Sequence, residues 1–197
     1  LIVQNPVSRL TETKQWFRVE RRQTIIKAHQ LPAWYEAVQN LDSDTIKDYL
    51  LLLFFTGLRR EEGFKLRWQD IDLKAMTFII SDTKNKNPLQ LPIGKHVYQI
   101  LKSRKAHAGD TEFVFPGSGI RGHLVEPKKQ VAHVTRESGV QFCLHDLRRG
   151  FITTAESLDI SSYAVKALVN HSTGKDVTGG YIISDPERLR KPMQRIE

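Results

Sequence analysis

Residues 43–60, Ser43-Asp44-Thr45-Ile46-Lys47-Asp48-Tyr49-Leu50-Leu51-Leu52-Leu53-Phe54-Phe55-Thr56-Gly57-Leu58-Arg59-Arg60, decide the fold. Ser43 is placed to cap a helix running to Thr56, and from Leu50 to Phe55 that helix is apolar on nearly every side. A helix without a polar face belongs at the centre of a core, with other elements packed around it. Gly57 suits the left-handed position at which helices stop, so Arg59 leaves the end of a rigid, buried rod in a fixed direction. Glu62 follows at the next turn and can orient that guanidinium, which would then be free to grip a phosphate through two donors. The plainer alternative is a surface ion pair between Arg59 and Glu61 or Glu62.

Outward from this helix the pattern stays mostly helical. Leu31 to Leu41, with Pro32 in its first turn and Trp34, Ala37, Val38 and Leu41 on one face, predicts a short helix before it. Leu58, Phe64, Leu66 and Trp68 predict a further turn or two after it. Met76 to Ser81 and Leu89 to Ile93 read as two strands joined by the polar hairpin from Asp82 to Pro88. Helical spacing returns over Gly94 to Ala106, Glu126 to Ser138 and His145 to Leu158, and again from Ser161 or Ser162 to Val169. Phe113-Val114-Phe115 is a short apolar run ended by Pro116-Gly117. Residues 1–27, with the turn signal Asn5-Pro6, read as a linker and a first strand, and the glycines beyond His171 predict an irregular tail before any last short helix. The expected fold class is α+β, predominantly helical, with a small antiparallel β-sheet near the front.

Composition narrows the function. The 197 residues are 40% hydrophobic, enough for one well-packed domain. A net charge of +8 favours a polyanionic partner, nucleic acid above all. Cys143 is the only cysteine, so no internal disulfide can form, in keeping with a reducing compartment. Set between Phe142 and Leu144, it reads as a small buried apolar side chain. The longest apolar run, Tyr49 to Phe55, is far too short to span a bilayer. No two histidines stand at the spacing of a helical zinc site, although an acidic magnesium site assembled from residues such as Asp70, Asp72, Asp82 or Asp146 stays open. Gly57, Gly63 and Lys65 miss the phosphate-loop spacing, and no Ser or Thr follows the lysine.

Leu144-His145-Asp146-Leu147-Arg148-Arg149-Gly150 sets an imidazole and a guanidinium three residues apart, on one face of a helix. The pair suits holding a phosphate oxygen while a proton moves nearby. Arg149, one position on, points elsewhere, towards DNA backbone or an acidic neighbour. Lys84 and Lys86 lie on the hairpin tip, able to reach a nucleic-acid groove. His171 stands just beyond a helix end, and Tyr181 follows Gly179-Gly180, either held on an arm or packed as an aromatic plug.

Taken together, Thr56-Gly57-Leu58-Arg59-Arg60-Glu61-Glu62, Lys84 ahead of Leu91-Pro92-Ile93, His145-Asp146-Leu147-Arg148, His171 and Tyr181 resemble, in order and rough spacing, the tyrosine recombinases of the phage-integrase family. The resemblance covers about Leu31 to Ile183. Asn170 stands where the family usually has glycine, and the interval from His171 to Tyr181 is slightly looser than typical. It implies a site-specific DNA recombinase that cuts and rejoins strands through a 3′-phosphotyrosine on Tyr181, with no metal and no cofactor. In that scheme Arg59 and Arg148 clamp the phosphate oxygens and Lys84, with Lys86 as its rival, protonates the leaving 5′-oxygen. His145 assists proton transfer and His171 holds the scissile phosphate, while Arg60, Lys86 and Arg149 contact DNA.

The resemblance also implies a catalytic domain over 28–183 with a tail over 184–197, and an amino-terminal DNA-clamping domain absent from this chain unless 1–27 is its trailing linker. An isolated catalytic domain is expected to bind DNA weakly. Double-stranded DNA is the implied partner, bound by a tetramer across paired sites, with accessory DNA-bending proteins and no membrane. The implied location is the cytoplasm of a bacterial host, at the nucleoid. A DNA-relaxing enzyme of the type IB topoisomerase kind and a basic DNA-binding module without activity are the alternatives; a metal-dependent nuclease is the weakest.

Overall fold

The computed structural model describes residues 5–17, 20, 23–81, 88–171 and 185–197. Lys84, Lys86 and Tyr181 lie outside the described residues. The helices are α1 (Pro6–Glu12), α2 (Leu31–Gln39), α3 (Asp44–Thr56), α4 (Arg60–Phe64), α5 (Lys95–Ala106), α6 (Lys128–Ser138), α7 (Leu144–Ser157), α8 (Ser162–Leu168) and α9 (Pro186–Ile196). The strands β1 (Ile71–Asp72), β2 (Thr77–Ile80) and β3 (Leu89–Pro92) form one antiparallel sheet in that order, with Phe78 opposite Leu91 and Ile80 opposite Leu89. The expected α+β class and the small sheet are both present.

The apolar helix α3 does occupy the centre. Tyr49, Leu50, Leu52 and Leu53 are fully buried, and α3 touches α2, α4, α5 and α7. The Tyr49 ring stacks on Phe64 at 4.7 Å and its hydroxyl donates to the Arg60 carbonyl at 3.0 Å, so α4 is fixed to α3 by both an apolar and a polar contact. Gly57 ends α3 at φ +64°, and a Cβ there would come within 2.6 Å of the Phe151 ring on α7. Only glycine satisfies both the backbone and the space. Alternation in the sheet buries Phe78, Ile80, Leu89 and Leu91 and leaves Ile79 and Gln90 outside.

Helix α9 closes the molecule over β3. Leu189 and Met193 are buried, and the Arg190 guanidinium donates to the carbonyls of Ala75 at 2.7 Å and Met76 at 3.1 Å. The Glu197 carboxylate then accepts from the backbone N–H groups of His96 and Val97, each at 3.0 Å. Helix α5 begins at Gly94, which has no side chain to cap it, so residue 197 supplies the missing acceptor.

Several elements differ from expectation. In place of a first strand, the described part of 1–27 carries α1: Asn5 accepts from Val7 N–H at 3.0 Å with Pro6 in the first turn, so a dipeptide read as a turn is a helix start. Ser43 occupies the cap position of α3 without a side-chain capping bond; its carbonyl accepts from Ile46 and Lys47, and the Lys47–Asp44 ion pair closes the turn. Strand β1 is too short for any periodicity to announce it. The apolar run Phe113 to Phe115, given no element by the sequence, is seated beside the core: Val114 N–H donates to Leu66 and Phe113 bridges to Arg67.

Candidate active site

The carboxyl end of α3 and the amino ends of α4 and α7 meet at one cleft of about 600 Å³, and Arg59 and Arg148 tie the carboxyl end of α8 to it. Arg59, Arg60, Lys65, His145 and Arg148 line it. Glu61, Glu62 and Glu126 line it too, so its cations are set among carboxylates at helix termini that leave backbone groups to be satisfied.

Arg59 is the cap residue of α4, and Glu62 holds it twice. One carboxylate oxygen accepts the Arg59 backbone N–H and the other its Nη1, both at 2.8 Å. Glu62 is buried, so the ion pair is shielded from water on one side and Arg59 keeps a fixed direction. The remaining terminal nitrogen donates to the Asn170 carbonyl at 3.2 Å. The orientation of Arg59 by Glu62 is therefore the one the sequence suggested.

Arg148 is held differently. It is 3% exposed; Nη1 donates to the Gly57 carbonyl at 2.6 Å and Nη2 to the Val169 carbonyl. Both carbonyls belong to the last turns of helices, whose negative ends favour a cation. Burial, and then the Arg59 charge, lower its pKa to about 10, so it stays protonated at neutral pH.

His145 lies one turn before Arg148 at the mouth of the cleft. Partial desolvation, then the Arg149 and Arg148 charges, hold its pKa below the ordinary 6.5. His171 follows α8, with its N–H donating to the Lys166 carbonyl at 2.9 Å. Its pKa is lowered by desolvation and then by Arg148 and Arg59, with His145 adding to the effect, which puts all four groups in one electrostatic neighbourhood. The downward direction of both favours the neutral imidazole, the form that can accept a proton. The turn between α8 and His171 is made by Asn170 at φ +49°, a conformation that asparagine tolerates better than other residues with a side chain. The position where glycine is usual thus keeps the backbone shape that glycine would give.

Of the residues expected at the site, Arg59, His145, Arg148 and His171 come together. Arg60 lines the cleft half-exposed, paired with Glu126 at 3.3 Å and Glu61 at 3.9 Å. Arg149 turns from the cleft to the buried Asp146 at 3.0 Å, the acidic neighbour foreseen for it. Lys84, Lys86 and Tyr181 fall outside the described residues. Sequence reasoning passed over Asp146 as a structural partner and Lys65 as a lining residue; the first had a signal, an acid in the first turn of a helix. Among the described residues, no three His, Cys, Asp or Glu side chains gather as metal ligands, and no helix is long and apolar enough to cross a membrane.

Comparison with known proteins points one way. The family model described as the phage integrase family matches residues 24–188. Prophage integrase IntF of Escherichia coli K12 is 29% identical over 179 residues, covering 87% of this chain, and prophage integrase IntZ of the same organism is 29% identical over 119 residues, covering 59%. The matches span only 38% and 29% of those two proteins' own lengths. Among solved structures, the integrase from mycobacterium phage Brujita superposes with a TM-score of 0.70 at 19% identity, covering 92% of this chain and 60% of that one. The Tn1549 transposon integrase, solved in complex with transposon right end DNA, does so with a TM-score of 0.69 at 17% identity, covering 98% and 72%. At these identities the structural likeness speaks for the fold.

Proposed function

The chain belongs to the phage integrase family of tyrosine recombinases, and from that premise we propose that it cleaves and rejoins double-stranded DNA at specific sites through a 3′-phosphotyrosine intermediate. In this reading the Tyr181 phenolate attacks the scissile phosphorus, the P–O5′ bond breaks, and Lys84 gives its proton to the leaving 5′-oxygen. Arg59 and Arg148 stabilise the charge that builds on the non-bridging oxygens of the pentavalent transition state, and both are oriented before substrate arrives. His145 accepts the tyrosine proton and His171 hydrogen-bonds the phosphate. Arg60 and Lys86 meet the DNA backbone around the site, while Arg149 is held by Asp146, and the phosphodiester bond energy is kept in the adduct, so no metal or nucleotide is needed.

The observation that supports this reading best is the convergence of Arg59, His145 and Arg148, from distant parts of the chain, on one cleft, with His171 in their electrostatic neighbourhood. The full-length protein, on the same reading, works as a tetramer on paired sites in a bacterial cytoplasm, at the nucleoid, with an amino-terminal clamp and accessory DNA-bending proteins. Residues 28–183 supply its catalytic domain and 1–27 the linker to the clamp.

The test is covalent trapping. A pool of nicked duplex oligonucleotides with randomised cores is incubated with the chain in EDTA, and denaturant-resistant protein–DNA adducts are counted on a gel. Adduct is expected without divalent metal and is expected to vanish in Tyr181→Phe. Adduct that survives in that variant shows the nucleophile to be misassigned; adduct that requires magnesium overturns the metal-free mechanism.

A further inference from the structure

Asp146 has no role in the mechanism above, yet it is 1% exposed and lies between His145 and Arg148. A carboxylate is costly to bury unless both oxygens are well used. Oδ2 accepts the Cys143 backbone N–H at 2.9 Å, which closes the first turn of α7. That bond alone does not call for burial, since Asp185 accepts a backbone N–H at the start of α9 from the exposed surface. The other oxygen accounts for the rest: Oδ1 accepts the Thr24 hydroxyl at 2.8 Å and Arg149 Nη1 at 3.0 Å. Thr24 lies 122 residues earlier, on the extended stretch by which the chain enters the domain. Ile26, two residues on, is 7% exposed and anchors that stretch in the core.

We propose that Asp146 is a positioning residue, and that through its contact with Thr24 the chain entering the domain sets the first turn of α7 and with it the placement of His145 and Arg148. The catalytic half of this statement rests on the recombinase reading. A shift of that turn moves both side chains together, because they project from it one turn apart. The entering segment is therefore tied directly to the phosphate-facing helix, and strain on residues 23–27 is felt at the site.

The decisive variant is Thr24→Val, which keeps the shape and removes the hydroxyl, with Thr24→Ser as the rescue. Thr24 is exposed, so neither change opens a cavity in the core. Backbone hydrogen exchange over residues 144–147 is expected to rise several-fold in Thr24→Val, to stay unchanged in α3, and to return in Thr24→Ser. Single-turnover adduct formation from the randomised nicked-duplex pool is expected to fall about tenfold in Thr24→Val, the worth of one hydrogen bond to a charged group, with duplex affinity unchanged and the rate restored by serine. Unchanged exchange overturns the proposed contact. Raised exchange with an unchanged adduct rate overturns its role in positioning the site, as does a rate that falls only in step with affinity. If the unaltered chain forms no adduct, the recombinase reading fails, and the exchange experiment alone then upholds or overturns the coupling of Thr24 to α7.

Discussion

Arg59 and Arg148 bring the same charge into one cleft but differ in what they can give away. Arg148 commits two terminal nitrogens to the Gly57 and Val169 carbonyls, so it braces two helix ends as well as facing the site. Any loss of activity in an Arg148 variant thus mixes chemistry with the cost of leaving two buried carbonyls unpaired, about 1–3 kcal/mol each. Arg59 is the cleaner probe, and the histidines report on it. Its charge helps hold the pKa of both His145 and His171 below 6.5, after desolvation in each case. In Arg59→Gln both pKa values are expected to rise, all the more because Glu62 is then an uncompensated anion; imidazole carbon shifts followed against pH measure this, and unmoved titrations would show the groups to be apart. For stability the sign is fixed: a histidine with a depressed folded pKa contributes fully above 6.5, and loses that contribution as pH falls through the folded value. The acid arm of a stability–pH curve should therefore flatten in the variant. At this scale the sequence disclosed the Arg59–Glu62 pairing, because it is local. It could not disclose that Arg148 spends its donors on residues 91 and 21 positions away.

The elements show the same division. Helix α3 was legible because an apolar run ending in Thr-Gly leaves little choice, and the hairpin partners were legible from alternation. What escaped depends on partners remote in sequence, or on signals with two meanings. Asn5-Pro6 serves a helix start as well as a turn, and a serine before a helix need not use its hydroxyl. The joint between α3 and α4 depends most on a single residue. Gly57→Ala places a side chain in a left-handed conformation and against the Phe151 ring, and it disturbs the carbonyl that Arg148 holds. Strain of about 1–2 kcal/mol and overpacking of about 1–3 kcal/mol give an expected loss of roughly 2–5 kcal/mol in urea unfolding. Combining it with Phe151→Leu should cost less than the sum of the two, since the second change relieves the contact made by the first. Strict additivity would show that the ring is not the obstacle.

On the scale of the whole molecule, the element to weigh is the last short helix, which the sequence left open. That helix, α9, packs on β3, α7 and α8 and caps α5, so a segment close to the site in sequence is fastened both to the sheet and to helices that frame the site. Burial of Leu189 and Met193 is worth about 1.5–3 kcal/mol each. A chain truncated after Asp185 should therefore unfold at a markedly lower urea concentration and associate through the uncovered strand, which sedimentation would detect. A full-length denaturation midpoint in the truncated chain would show α9 to be ornamental. The Glu197 carboxylate under α5 leaves a mark of another kind. A side chain at position 94 would overlap it, so Gly94 is the space that Glu197 fills. A side chain at residue 94 would displace the flexible Glu197 carboxylate and with it the cap of α5, so in an alignment of relatives an acid at the place of residue 197 should travel with glycine at the place of residue 94. Lineages that lose the acid should regain a capping Ser, Thr, Asp or Asn at the place of residue 94, so that α5 takes its cap from its own first turn.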